Sequence, residues 1–149
     1  MKNDKCQISP DRADGGRRYD LTDRTTRFAE TTVRFARRVP QDAVTRPMIT
    51  QLVRAGTSVA ANNREANDAV SKRDFRNKIG ICRKEANETK LWLQLVAEAV
   101  PGLKPDARTL WKEADELHRI FGKSFATASK RTPRSVLRPL AQPHLSFGI

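Results

Sequence analysis

From Phe75 to Val100 the apolar residues recur at alternating intervals of four and three without a break: Phe75, Ile79, Cys82, Ala86, Thr89, Leu93, Val96, Val100. That period matches the 3.6-residue turn of an α-helix and excludes a strand, whose period is two. Ser71 followed by Asp74 resembles a capping box, and Pro101-Gly102 stops the pattern. The spacing therefore predicts a helix over 71–100, about 45 Å long at 1.5 Å per residue. A stripe of that length must be covered by other elements of similar length, and this requirement dominates what the chain can fold into.

Three further segments supply the cover. Leu21, Thr25, Phe28, Thr32, Phe35 and Val39 repeat the 4-3 spacing, with two threonines weakening the seam. Thr22 is the expected N-cap, Arg37 and Arg38 suit the last turn, and Pro40 ends the segment. A second helix is expected over 44–66, with Pro47 in its first turn. Its seam of Ile49, Leu52, Gly56, Val59, Asn63 and Ala66 is thin, and Gly56 with Ala55, Ala60 and Ala61 invites close helix approach. Asn63 falls on that seam and needs a hydrogen-bond partner. A fourth helix starts near Pro105-Asp106 with Ala107, Leu110, Ala114, Leu117 and Phe121 on its seam, widened by Trp111, Ile120 and Phe125. Four helices with short connections predict an all-α, up-and-down antiparallel four-helix bundle over residues 19–130. Residues 1–18 are polar and expected to be disordered, and residues 131–149 form a basic tail carrying Pro133, Pro139 and Pro143.

Charge narrows the function. The chain of 149 residues has 29 Lys and Arg against 17 Asp and Glu, a formal net charge of +12. Residues 17–38, 71–90 and 130–149 each carry a net +4, and the remainder is neutral. On the third helix Lys72, Arg76, Arg83 and Lys90 share a face, with Gly80 and Asn87 filling the same stripe. On the first, Arg27, Arg34 and Arg38 share a face beside Arg24. The tail adds Lys130, Arg131, Arg134 and Arg138. A phosphate backbone would meet rows of cations here, and arginine binds phosphate through two parallel bonds. An ordinary solvated face has the same composition, and if the first and third helices are neighbours their stripes merge.

Other chemistries lack their residues. Cys6 and Cys82 have no CxxC partner, and with His118 and His144 they make no zinc set. Cys82 lies on the apolar stripe and reads as a reduced core thiol, which suits a cytoplasmic location. No apolar run is long enough to span a membrane, and the N-terminus has no signal core. Asp115-x-x-His118 is an isolated near-match to the Glu-x-x-His of di-iron bundles. Gly56-Thr57-Ser58 lacks the spacing of a phosphate loop. Neither a catalytic set nor a cofactor site emerges, so no enzyme is expected and no cofactor or metal. Glu65, Glu85 and Glu88 are read as partners for Arg54, Arg64 or Lys78, within or between subunits. Trp92 and Trp111 are read as core or subunit-interface residues rather than base-stacking platforms.

Several blocks carry a family resemblance. The run from Leu52 to Ala66, Ser71-Lys72-Arg73-Asp74-Phe75-Arg76-Asn77-Lys78, Lys84-Glu85-Ala86-Asn87-Glu88-Thr89 and Trp92-Leu93 resemble the four-helix-bundle proteins encoded in 23S ribosomal RNA intervening sequences. Tyr19-Asp20-Leu21 resembles the family's lead-in to its first helix. Ala55 stands where a serine is expected and Asn63 where an aromatic residue is common. The resemblance implies a non-catalytic subunit of a ring-shaped homopentamer. It also implies kinship with the accessory protein of diversity-generating retroelements, which works with a reverse transcriptase and RNA. The expectation is a homo-oligomer that binds nucleic acid, structured RNA above all, through its basic surface. The alternative is an adaptor for a protein partner such as a reverse transcriptase.

Overall fold

The computed structural model describes residues 16–130. The helices are α1 (Gly16–Arg38), α2 (Thr45–Asn67), α3 (Lys72–Ala99) and α4 (Lys104–Ser129), with a 3₁₀ turn at Pro101–Leu103 leading into α4. No strand occurs among the described residues. Each helix packs on its neighbours in sequence, and α4 closes the square against α1. The result is the expected up-and-down antiparallel bundle. Helices α1 and α3 lie on a diagonal, with no Cα pair between them within 8 Å. The condition on which their basic stripes would merge is therefore not met, because α4 stands between them on one side and α2 on the other.

All four seams meet in one core. Phe28 and Phe35 from α1, Leu52 and Val59 from α2, Cys82, Leu93 and Val96 from α3, and Leu117 and Phe121 from α4 are buried together. The Cys82 thiol is free and buried, its Sγ 3.6 Å from the Val59 carbonyl oxygen, and burial pushes its pKa up to about 12.

Local chemistry sets the helix ends. Ser71 has extended backbone and its hydroxyl accepts from the Asp74 amide at 3.1 Å, so the expected cap of α3 is present. Asp42 organises the start of α2. Its Oδ1 accepts from the amides of Val44 and Thr45, both at 2.8 Å, and the Thr45 hydroxyl accepts from the Asp42 amide at 2.9 Å. This is a reciprocal cap of the capping-box kind. Helix α1 differs from expectation: it begins at Gly16, so Thr22 is not its N-cap but sits inside it. Thr22 Oγ1 instead accepts from Asn67 Nδ2 at 2.9 Å, tying α1 to the last turn of α2.

The polar residues on the α1–α2 seam answer one another. Thr25 is fully buried, donates to the Leu21 carbonyl at 2.9 Å, and accepts a long bond from the buried Asn63 Nδ2 at 3.4 Å. Thr32 is also buried and donates to the Phe28 carbonyl at 2.8 Å. Its methyl faces Gly56 so closely that a Cβ there would lie 2.7 Å from Thr32 Cγ2. The partner that Asn63 needs, and the reason for Gly56, both lie on α1.

Candidate nucleic-acid interface

Helices α3 and α4 run antiparallel, so the first half of α3 lies along the second half of α4. Three contacts fix this register. His118 Nδ1 donates to the Arg83 carbonyl at 3.0 Å. Arg83 Nε lies 3.8 Å from where a Cβ on Gly122 would stand, and Phe125 lies against Gly80. Residues 72–84 hold Lys72, Arg73, Arg76, Lys78, Arg83 and Lys84 against one acid, Asp74. Residues 117–130 hold Arg119, Lys123 and Lys130 against none. This side of the bundle concentrates positive charge, and the chain leaves it at Lys130 toward the tail.

Ion pairing divides the expected basic residues into two groups. Among the described residues, Lys72, Arg76 and Arg83 on α3 and Arg27 on α1 have no carboxylate within 4.0 Å. Lys72, Arg83 and Arg27 are exposed, and Arg76 is half-buried. Lys90 departs from its stripe. Its Nζ donates to Asp115 at 2.7 Å and lies 4.8 Å from the centre of the Trp111 ring, with both partners of the pair largely covered. That cation serves the α3–α4 joint. Arg38 pairs with Asp106 at 2.7 Å, and Arg34 sits 3.9 Å from Glu30. Arg131 and Arg134 lie outside the described residues.

The α1 stripe faces a different side. Arg27, Arg34 and Arg38 edge an open groove of about 750 Å³ between α1 and α4, floored by Phe28, Phe35 and Leu110. Arg24 closes the groove at one end. Its Nε donates to Glu113 at 2.6 Å and its other nitrogen reaches Glu116 as well. The Glu113 carboxylate, ahead of a smaller opposing cost of burial, holds the Arg24 guanidinium above its ordinary pKa.

Sequence reasoning passed over α4. Arg108, Lys112, Arg119 and Lys123 are spaced four, seven and four, which puts them on one face of that helix. The segment's net charge hides them, because Asp106, Glu113, Asp115 and Glu116 nearly cancel them in the sum. In the fold those acids are occupied by Arg38, Arg24, Lys90 and Arg119. The helical spacing was the signal that could have found them.

The acidic residues pair within the chain. Arg54 on α2 reaches the buried Glu85 at 3.5 Å and also bonds Glu88, which accepts in addition from Trp92 Nε1 at 3.3 Å. Lys78 bonds Glu65, and that contact raises the lysine pKa. Arg64 instead donates to Thr26 Oγ1 at 3.2 Å. Trp92 and Trp111 are both half-buried against the core, and Trp111 Nε1 has no hydrogen-bond partner. No group of three His, Cys, Asp or Glu side chains able to hold a metal occurs among the described residues. Among the described residues no helix is long and apolar enough to cross a membrane.

Comparison with known proteins agrees with this architecture. The sequence profile of the 23S rRNA-intervening sequence protein family matches residues 17–123. A crystal structure of a protein of unknown function from the S23 ribosomal protein family of Bacteroides thetaiotaomicron superposes with a TM-score of 0.63 at 28% identity. That match covers 73% of this chain and 97% of the other. No curated protein matches the chain.

Proposed function

The chain belongs to the family of 23S rRNA-intervening sequence proteins, and from that premise we propose that it is a non-catalytic, homo-oligomeric protein that binds structured RNA electrostatically. The observation that carries this reading is the α3–α4 side, where, among the described residues, Lys72, Arg76 and Arg83 of α3 have no carboxylate within 4.0 Å and the basic residues of α4 run beside them, Arg119 alone of these paired with an acid, Asp115. Lys72, Arg76 and Arg83 form its α3 row, and Arg119, Lys123 and Lys130 its α4 row. Such a face neutralises phosphates and releases their counterions, so affinity falls steeply with salt and carries little base information. Arg131 and Arg134 extend the charge along the chain beyond Lys130, and Arg27, Arg34 and Arg38 supply a second, separate row. A cytoplasmic setting fits a ligand of this kind.

The test is RNA binding across a salt series with the Arg76→Glu/Arg83→Glu variant beside the native chain. Both side chains project from a formed helix, so circular dichroism should be unchanged. Affinity at about 100 mM salt should fall at least tenfold, and the slope of log K against log salt should become shallower by about two. Native affinity in the double variant would remove this face from the binding reaction. A second reading, an adaptor for a protein such as a reverse transcriptase, is favoured by the exposed Ile81, Leu91 and Leu95 of α3. It becomes the leading one if the native protein ignores RNA at low salt.

A further inference from the structure

Near the connection between α3 and α4 the two helices part around an open pocket of about 400 Å³. Its floor is apolar, built from Leu93 and Ala97 of α3 and Ala107 and Trp111 of α4. Three cations stand along its α4 edge. Lys104, Arg108 and Lys112 are exposed and four residues apart, so they follow one face at intervals of about 6 Å. Among the described residues none of the three has a carboxylate within 4.0 Å, although Glu98 lines the α3 edge beside Gln94. The indole of Trp111 is held differently from that of Trp92. Trp92 Nε1 donates to Glu88 at 3.3 Å, whereas Trp111 Nε1 is covered and has no partner. The Lys90 ammonium, 4.8 Å from the ring centre, braces the Trp111 ring instead. A buried indole N–H ordinarily finds an acceptor, and this one finds none in the protein.

We infer that this pocket takes an unstacked nucleotide of the bound RNA, its base against Trp111 and its phosphates on Lys104, Arg108 and Lys112. This rests on the RNA reading above and adds the base contact that the electrostatic face does not make. Three features point to a nucleotide. The pocket joins an aromatic ring on an apolar floor to a row of unmatched cations, and a nucleotide joins a flat ring to phosphate in the same way. A base edge brings acceptors for an indole N–H that turns toward it and donors for Glu98, whose carboxylate has no cation within 4.0 Å among the described residues. The cation row also continues along the same face of α4 to Arg119 and Lys123, so a strand held on the basic side reaches the pocket without leaving α4. Unpaired bases of loops and ends are the part of an RNA that can be splayed into such a site.

The experiment is binding of the full chain to an RNA hairpin with a loop of adenosines and to the same hairpin with abasic loop nucleotides. The native chain should bind the first about tenfold more tightly. Trp111→Leu should erase that difference and leave the salt slope unchanged, because the ring meets the base and the cations meet the phosphates. In a Trp92→Phe background Trp111 is the sole tryptophan, and its fluorescence should fall with the adenosine loop and stay constant with the abasic one. A native chain that binds both hairpins equally, or a Trp111→Leu variant that keeps the preference, overturns the pocket and leaves the electrostatic reading standing. A native chain that binds neither hairpin at low salt overturns the RNA reading and the pocket with it. Should Trp111→Leu lower helicity, Ala97→Leu narrows the pocket with the indole in place, and loss of the preference there gives the same reading.

Discussion

Gly56 and Thr32 show what one missing methyl decides. In an isolated helix, Gly→Ala gains about 1 kcal/mol. Here the new Cβ would stand 2.7 Å from Thr32 Cγ2 and 2.9 Å from its Oγ1. Thr32 is buried and its hydroxyl is held by the Phe28 carbonyl, so it has little freedom to move away. Overpacking of this kind costs roughly 1–3 kcal/mol, so Gly56→Ala should destabilise despite the gain in helix propensity. Urea unfolding of Gly56→Ala, Thr32→Ala and the double variant should show the double losing less than the sum of the singles. Additive losses would mean that the contact does not restrict this position. The close approach was legible in Gly56 and its alanine neighbours. Its partner was not, because thinning of the α1 seam by threonine has meaning only once α1 faces α2.

Among the elements, α2 and α4 are positioned by carboxylates whose protonation can be followed. The backbone amides of Thr45 and Val44 hold the Asp42 carboxyl below its ordinary pKa. The Lys90 ammonium, with Arg119 behind it, does the same for Asp115. A carboxyl lowered in the folded state contributes stability that is fully present above its unfolded pKa and is lost as pH falls through the folded one. The urea midpoint should therefore be flat from pH 7 to about 5 and decline below about 4. In Asp115→Asn the midpoint at neutral pH should be lower and the acid decline shallower. A decline as steep as the native one would show that Asp115 is not among the titrating groups. The cap at Ser71 could be read from sequence because its partner is three residues away. Asp42 carries no such signal, because a second helix expected from Val44 with Pro47 in its first turn leaves Asp42 in the connection before it. Thr22 was misplaced for the related reason that a good capping residue inside a helix looks the same as one at its end.

At the scale of the whole molecule, the buried apolar core among the described residues is drawn from residues 28–121. A chain ending after Lys130 should keep its cooperative unfolding and lose at most a few degrees of melting temperature. If Arg131, Arg134 and Arg138 contact RNA, the same truncation should make the salt slope shallower by about two to three. An unchanged slope would confine binding to the bundle, and a loss of cooperativity would mean that residues 131–149 complete the fold. The charge map required the whole molecule too. Lys72, Arg76, Arg83 and Lys90 are equivalent as a stripe, yet only Lys90 meets a carboxylate of α4.

By itself the sequence determined the number and periodicity of the helices, their antiparallel order and most residues of the core. Those follow from local spacing and from short connections, which are properties of neighbours along the chain. The tertiary structure decided which cations remain free, which flank of α3 stays apolar and uncovered, and that the α1 and α3 stripes face different sides. These depend on the angular position of each helix around the square, where residues separated by dozens of positions compete for the same carboxylate or the same groove. A helical stripe records the face a residue occupies but not the element that covers it, and the covering element decides whether a charge is matched or available.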